Sequence, residues 1–188
     1  MEHEDDLGDS FRRRLKDIPF GRLTFPSRQI VGADPCVAGR LPPVGLELKS
    51  DGPFPVLRAD LMDVTEDGDE VDDRARGILV VIDKQHAPVR WEAARDAAGQ
   101  PIACVIDTGQ LLLADGDGAH ALQREYDQGT ADHSAQPRLC LHRSDPDHFE
   151  DIAVLAGLGC DGPAWIVVGM GEDECPVAVL VANFDPLS

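Results

Sequence analysis

Short apolar or alternating segments, separated by glycine, proline and acidic clusters, fill most of this 188-residue chain and restrict what it can fold into. Strict alternation of apolar and polar residues is typical of a strand with one buried face, and a short unbroken apolar run is typical of a central strand. The pattern predicts about ten strands, which fall in eleven segments. They are GRLTF, RQIVGA, VGLELK, FPVLRADLMDV, RGILVVIDK, PVRWEAA, QPIACVID, RLCLH, DIAVLAG, AWIVVGM and PVAVLVANF.

Two stretches predict short helices. In DSFRRRLKD, Asp9 or Ser10 can cap a basic helix, and DGAHALQREY combines capping residues with helix-forming ones. Strands and helices do not alternate regularly, which argues against a doubly wound parallel sheet. We therefore expect an α+β, β-rich fold, with a mostly antiparallel sandwich or barrel-like sheet and two short helices.

The length of the chain fits one domain with its own hydrophobic core. The first ten residues, MEHEDDLGDS, are polar and mostly acidic, and β character begins near Gly21. We divide the chain into residues 1–19, an acidic tail with a short helix, and residues 20–188, a single β-rich domain.

The charge of the chain limits its partners. Seventeen Lys and Arg residues against thirty-five Asp and Glu residues give a net charge of −18. Repulsion disfavours binding to nucleic acid or to an anionic membrane surface, and attraction favours a basic protein as the partner. The alternative is that the acidity serves only solubility.

The cysteines and the chain's hydropathy bear on its compartment. The five cysteines are widely spaced, and no C-x-x-C pair is present, so a zinc ribbon or a thioredoxin-type site is not expected. Cys104 and Cys140 lie in apolar runs, as buried thiols do. The N-terminus lacks the apolar stretch of a signal peptide, and no segment has the length of a membrane span. These features predict a cytoplasmic protein.

An acidic run over residues 60–73, DLMDVTEDGDEVDD, holds eight acidic residues and no base. Its second half, residues 66–73, predicts a solvated hairpin loop and does not fit the EF-hand spacing. The functional interpretation is a docking surface for a cationic partner, which acts by electrostatic steering. Its anchors would be Asp67, Asp69, Glu70, Asp72 and Asp73. The alternative is a loop that touches nothing.

The segment VIDTGQLLLADGDGAHAL contains the densest group of possible metal ligands. Asp107, Asp115 and His120 could hold a divalent ion, with His120 as a ligand or a general base. A structural interpretation also explains them: a strand, a turn and a helix that Asp117 caps. A calcium loop would need a third oxygen ligand where Ala119 stands. The structural corner is the preferred interpretation.

Three stretches resemble, in the same order, the motifs of a bacterial domain family of unknown function. FPSRQIVGADP resembles its first motif; IDTGQLLLAD keeps Asp107, Gly109 and Asp115 of its second; and GMGEDECPVAVLVANF keeps Gly169, Gly171, Pro176 and Phe184 of its third. APVRWEAA resembles the strand before the second motif. Leu111, the GED triplet and Asn183 depart from the family pattern. The resemblance implies a fold and a bacterial origin, and it implies no activity.

No G-x-S-x-G elbow, P-loop, dinucleotide-binding glycine triplet or H-E-x-x-H motif is present. We therefore expect a non-enzymatic, acidic, cytoplasmic binding protein without a cofactor. In its sharpest form it is an immunity-type inhibitor that covers a basic bacterial toxin. The alternative is a metal-binding module or a metal-dependent hydrolase centred on Asp107, Asp115 and His120.

Overall fold

The structure, a computed structural model, describes residues 12–64, 68, 70–128, 140–142, 153–157 and 161–187. Within those ranges the chain forms eleven strands, one α-helix and one 3-10 turn. Strand makes up 45% and helix 11%, which confirms the β-rich α+β class. The elements are β1 (Arg12–Leu23), β2 (Ile30–Ala33), the 3-10 turn (Ala38–Arg40), β3 (Phe54–Val64), β4 (Glu70–Val81), β5 (Arg90–Ala93), β6 (Cys104–Ile106), β7 (Gln110–Asp115), α1 (Gly116–Asp127), β8 (Cys140–His142), β9 (Ala153–Gly157), β10 (Gly162–Met170) and β11 (Pro176–Ala182).

The strands form two antiparallel sheets. The larger has seven strands in the order β1-β3-β4-β11-β10-β5, with β6 also paired to β10. The smaller has four strands in the order β2-β7-β9-β8. The sheet is not closed into a barrel, so of the two predicted arrangements the sandwich-like one is observed.

The main core lies between the two sheets. From the larger sheet it receives alternate residues, such as Ile78 and Val80 of β4, and from the smaller sheet it receives Ile30 of β2. A Cβ atom at Gly32 would lie 2.4 Å from Cγ2 of Val181, so β2 approaches β11 as closely as a glycine permits. This approach brings the sheets together over the middle of the sandwich.

Helix α1 packs beside the smaller sheet and also contacts the 3-10 turn. Four successive residues of β7, at 111–114, are fully buried, as expected for a strand that is covered on both faces. The buried amide of Gln123 on α1 donates to the Cys36 carbonyl at 2.6 Å and accepts from the Gly39 N–H at 3.3 Å. No helix in the described ranges is long and apolar enough to cross a lipid bilayer.

The prediction of a helix near the N-terminus is wrong. Residues 12–23 form β1, which pairs with β3 from Arg12 opposite Val64 to Leu23 opposite Phe54. Helix propensities differ by a few tenths of a kcal/mol per residue, so long-range pairing with a neighbouring strand overrides them. The proposed boundary between residues 19 and 20 falls inside this strand.

Another strand prediction needs correction. VGLELK alternates in burial, with Val44 and Leu48 buried and Glu47 exposed, but it joins neither sheet. PVRWEAA is confirmed as a strand, β5, and it pairs with β10, which is distant in the sequence. Alternation reports which side chains are buried, and it does not report which strand is the partner.

The strand β7 was missed. The sequence predicts QLLLAD as part of a turn between a strand and a helix, but in the structure it pairs with both β2 and β9 at the centre of the smaller sheet. A short, wholly apolar run has no periodicity by which a strand can be distinguished from a buried helical segment.

Candidate functional site

The carboxylate of Asp115 is fully buried and has three hydrogen-bond donors. Oδ1 accepts from the main-chain N–H of Ser27 at 2.9 Å and from its hydroxyl at 2.7 Å. Oδ2 accepts from the N–H of Asp117 at 3.0 Å, in the second residue of α1. Asp115 is therefore the N-cap of this helix, in place of the predicted Asp117, and it also fixes the turn before β2.

A second buried carboxylate, Asp34, makes the matching contact at the other end of β2. Its Oδ2 accepts from the N–H groups of Asp107 and Thr108, both at 2.8 Å, and from the Thr108 hydroxyl at 2.9 Å. Its Oδ1 accepts from the N–H of Cys36 at 2.8 Å. Sequence reasoning did not select Asp34, although an aspartate followed by proline directly after an apolar strand is a turn signal.

These two carboxylates join the first and second motifs of the resemblance. Because β2 and β7 are antiparallel, the turn before each strand lies beside the end of the other. Asp115 at the end of β7 binds the Ser27 turn, and Asp34 after β2 binds the Asp107–Thr108 turn. Each of the two carboxylates, at the end of its own strand, thus fixes the turn that precedes the other strand. We call these two sets of hydrogen bonds the clasp, and its role is structural.

The three predicted metal ligands are not brought together. Asp115 is buried within the clasp, whereas Asp107 and His120 are exposed. Among the residues that the structure describes, no three His, Cys, Asp or Glu side chains are placed to share a metal ion. The metal-binding alternative therefore receives no support from the geometry.

The acidic run lies on a long hairpin instead of a loop. Strand β4 begins at Glu70, so Glu70, Asp72 and Asp73 belong to a strand, whereas Asp67 and Asp69 lie outside the described residues. The run was predicted as a loop because six of its eight last residues are acidic, and acidic residues are depleted in strands.

Part of this hairpin lies beyond the pairing of β4 with β11. Strand β4 pairs with β11 only from Gly77 to Val81, and Asn183 continues the contact to Arg76. The acidic arm, which we define as residues 12–16 of β1, 60–64 of β3 and 70–76 of β4, is therefore a three-stranded ribbon with β4 at its edge.

At the base of the acidic arm, acidic residues lie opposite basic ones in the strand register. Asp60 lies opposite Lys16 on one side and Arg76 on the other, and Arg13 lies opposite Asp63. The Asp60 carboxylate, which is largely buried, also accepts two hydrogen bonds from Arg58, at 2.7 and 2.6 Å. A buried charge requires such pairing.

Acidic residues nearer the connection between β3 and β4 lie opposite apolar residues. In the register of the hairpin, Glu70 lies opposite Val64 and Asp72 opposite Met62. Arg12 of β1 lies opposite Val64, the partner of Glu70, and Arg14 lies opposite Met62, the partner of Asp72. Glu70 and Asp72, two of the predicted anchors, are therefore each separated from an arginine of β1 by one strand of the acidic arm.

The third motif forms the turn between β10 and β11. The guanidinium group of Arg90 donates two hydrogen bonds to the carboxylate of Glu174, and its Nε donates to Glu92 at 2.8 Å. Nearby, the Asp83 carboxylate accepts from the Gln85 N–H at 2.8 Å and lies 2.9 Å from Nδ1 of His86. The Arg90 contacts connect β5 with the turn between β10 and β11, whereas the Asp83 contacts are local to residues 83–86.

The described cysteines are poor nucleophiles. Cys36, Cys104 and Cys175 are free thiols. Burial and a hydrogen bond to Asp34 raise the pKa of Cys36 to about 12, and burial raises the pKa of Cys104. A hydrogen bond to Asp173 raises the pKa of Cys175. Since the thiolate is the reactive form, none of the three is activated at neutral pH.

No protein-family model, no curated protein and no solved structure matches this chain. The resemblance to a bacterial family of unknown function stays a prediction that rests on the three motifs.

Proposed function

We propose that this protein is a non-enzymatic binding protein of the bacterial cytoplasm that captures a cationic protein through its acidic arm. In the specific form of the proposal it is an immunity-type inhibitor that covers a basic toxin. The observation that carries the proposal is the placement of part of the acidic run on a hairpin that continues past the pairing of β4 with β11, in a chain of net charge −18.

Electrostatics explains why this placement suits capture. Clustered charges of one sign attract a partner of the opposite charge, and they accelerate encounter at low ionic strength. The paired acids at the base, such as Asp60 with Arg58, hold the ribbon together. In the hairpin register Glu70 and Asp72 lie opposite the apolar Val64 and Met62 of β3, and this position supports a role in binding a partner.

The experiment begins with the products of the genes that flank its own. Each is co-purified with this protein, and for any that binds, the association rate is measured at about 0.05 M and about 0.5 M NaCl, where screening differs strongly. The tip variant Asp67→Asn/Asp69→Asn/Glu70→Gln should slow association at low salt by about tenfold.

The matched control removes the same charge elsewhere. Asp51→Asn/Asp161→Asn/Glu172→Gln changes three exposed acids outside the acidic arm. We expect it to slow association by about twofold or less, because long-range effects of distant surface charges are screened. Equal effects of both variants would contradict a docking role for the arm, and the lack of any salt-sensitive partner would contradict the proposal as a whole.

A further inference from the structure

Strand β1 is the last strand of the larger sheet, so it has a neighbour on one side only. It pairs with β3 in unbroken register from Arg12 to Pro19, where a bulge follows. Within the described ranges no strand pairs with its other side, which we call the open edge of β1. The N–H and C=O groups along such an edge can bond to a further strand.

A contact at the end of β11 fixes which main-chain groups point in which direction. The N–H of Arg76 donates to Oδ1 of Asn183 at 2.6 Å, and the Arg76 carbonyl accepts from the Asn183 N–H at 3.0 Å. Both groups of Arg76 therefore point away from β3. Bonded and non-bonded pairs alternate in antiparallel strands, so Asp60, opposite Arg76, directs its main-chain groups toward Lys16 of β1.

The same alternation identifies the residues that supply the open edge of β1. Since Lys16 bonds to β3, its neighbours in the series, Arg13, Leu15 and Asp17, direct N–H and C=O away from β3. Pro19 is the next residue of this series, and its nitrogen, which has no hydrogen, faces the open edge. Proline is tolerated at that position of an edge strand, which agrees with the assignment.

The open edge also carries the densest group of bases in the chain. Four of the five residues 12–16 are basic, in a chain with seventeen Lys and Arg residues. Alternate residues of a strand share a face, so Arg12, Arg14 and Lys16 belong to one face of β1. The residues of β3 opposite Arg12 and Arg14 are apolar.

These charges select among the strands that could join the edge. Pairing with β1 of a second copy would bring like charges close together, which is destabilising. An added strand lies about 5 Å from its neighbour. At about 0.15 M salt the screening length is about 8 Å, so the bases of β1 act on that strand more strongly than acidic residues on distant surfaces do.

We propose that the open edge of β1 binds an acidic, extended segment of another protein as an additional antiparallel strand. Acidic residues at every second position, in the pattern Glu-x-Glu-x-Glu, would lie opposite Lys16, Arg14 and Arg12. Main-chain hydrogen bonds would form at the intervening residues of β1. This role goes beyond the capture of a cationic protein and does not depend on it.

The probe is acetyl-Thr-Glu-Val-Glu-Val-Glu-Thr-amide, added to the full chain at about 0.15 M salt, where the screening length is about 8 Å. An NMR titration should show saturable chemical-shift changes in β1. Hydrogen exchange should slow at the amides of Arg13, Leu15 and Asp17, because these gain acceptors. Exchange at Arg14 and Lys16 should not slow, because their amides already donate to β3.

Modified peptides distinguish strand addition from general attraction between charges. Acetyl-Thr-Val-Glu-Glu-Glu-Val-Thr-amide has the same composition and should bind about fivefold more weakly, because its acids do not share one face. N-methylation of the valine opposite Leu15 removes an N–H that faces β1 and should weaken binding by about tenfold. N-methylation of the central glutamate, whose N–H faces away, should change affinity by about twofold or less.

Variants of the chain test the role of the bases. Arg12→Gln/Arg14→Gln should weaken binding of the probe by about fivefold to tenfold. The matched control, Arg40→Gln/Arg124→Gln, removes two exposed arginines outside β1 and should change affinity by about twofold or less. The variant Arg14→Glu should prefer the peptide whose central glutamate is replaced by lysine, which reverses the preference of the original chain.

Three outcomes would overturn the proposal: no change of shift or exchange in β1, equal affinity of the two peptides of the same composition, and equal effects of the two N-methylations. The variant Asp67→Asn/Asp69→Asn/Glu70→Gln should bind the probe at least as tightly as the original chain does. The edge of β1 and the capture of a cationic protein can therefore fail separately.

Discussion

Single carboxylates in this chain have two different roles, and burial separates them. Asp34, Asp60 and Asp115 are buried and surrounded by hydrogen-bond donors, whereas Asp107 and Asp117 are exposed. A buried carboxylate that loses its donors, or a donor that loses its carboxylate, costs more free energy than an exposed one. The predictions for single residues follow from this division.

Substitution of Asp115 should lower stability whether or not a metal is present. Asp115→Ala removes three hydrogen bonds from a fully buried carboxylate and should reduce the free energy of unfolding by about 3 kcal/mol or more. Urea denaturation, with and without a chelator, measures this loss. The exposed Asp117→Ala is the control, with an expected loss below about 1 kcal/mol. A loss that disappears in the chelator would support a metal role instead.

His86 should titrate above its ordinary pKa. The hydrogen bond to Asp83 raises the pKa of His86 above 6.5, while the Gln85 N–H and then His86 lower the pKa of Asp83 below 3.8. The contribution of His86 to stability is complete below pH 6.5 and is lost as pH rises through its raised pKa. That of Asp83 is complete above pH 3.8 and is lost as pH falls through its lowered pKa.

The pair therefore contributes fully between pH 3.8 and pH 6.5. An NMR titration of the imidazole ring tests this. We expect Asp83→Asn to return the pKa of His86 toward 6.5 and the distant Asp161→Asn to leave it unchanged. An imidazole pKa at or below 6.5 in the unaltered protein would contradict the observed ion pair.

At the scale of elements, strand identity was easier to predict than strand pairing. FPVLRADLMDV, AWIVVGM and PVAVLVANF were predicted as strands and are found as β3, β10 and β11. VGLELK has the same alternation but joins neither sheet. Its Gly45 N–H donates instead to the Arg95 carbonyl. Local pattern records burial, and the partner depends on the path of the chain.

The approach of β2 to β11 provides a test of how the sheets pack. Gly32→Ala should reduce stability by about 1 to 3 kcal/mol, because the new Cβ would lie 2.4 Å from Cγ2 of Val181. In a Val181→Ala background the same change should cost clearly less, since the methyl group it meets is gone. A double-mutant cycle by urea denaturation measures this coupling. Additive effects would show that the sheets adjust without strain.

At the scale of the whole molecule, net charge governs the response to salt. A charge of −18 on a compact chain repels itself, and screening should relieve that repulsion. Between about 0.02 M and 0.2 M NaCl the screening length falls from about 20 Å to about 7 Å.

Over this range the melting temperature should rise by about 3 °C, which corresponds to about 1 kcal/mol for a chain of this size. Differential scanning calorimetry measures the shift. The variant Asp51→Asn/Asp161→Asn/Glu172→Gln should show a smaller rise because it carries less charge. A fall in melting temperature with salt would indicate that attractive pairs, such as Arg58 with Asp60, outweigh the repulsion.

Part of the candidate functional site could be predicted from the sequence. The acidic run and the corner at Asp115 are visible in the sequence because clustered charges and turn residues leave a local pattern. The clasp was not visible, because Asp34 and Thr108 are 74 residues apart and meet only when β2 pairs with β7.

Composition and periodicity, read from the sequence alone, determined the β-rich class, the position of most strands, the internal helix and the strong negative charge. These properties depend on neighbouring residues and on side-chain chemistry, which the sequence states directly. Only the tertiary structure decided that residues 12–23 form a strand, that β5 pairs with β10, and that Asp115 serves a clasp. Each depends on contacts between distant segments, whose free energy exceeds the local preferences of the chain.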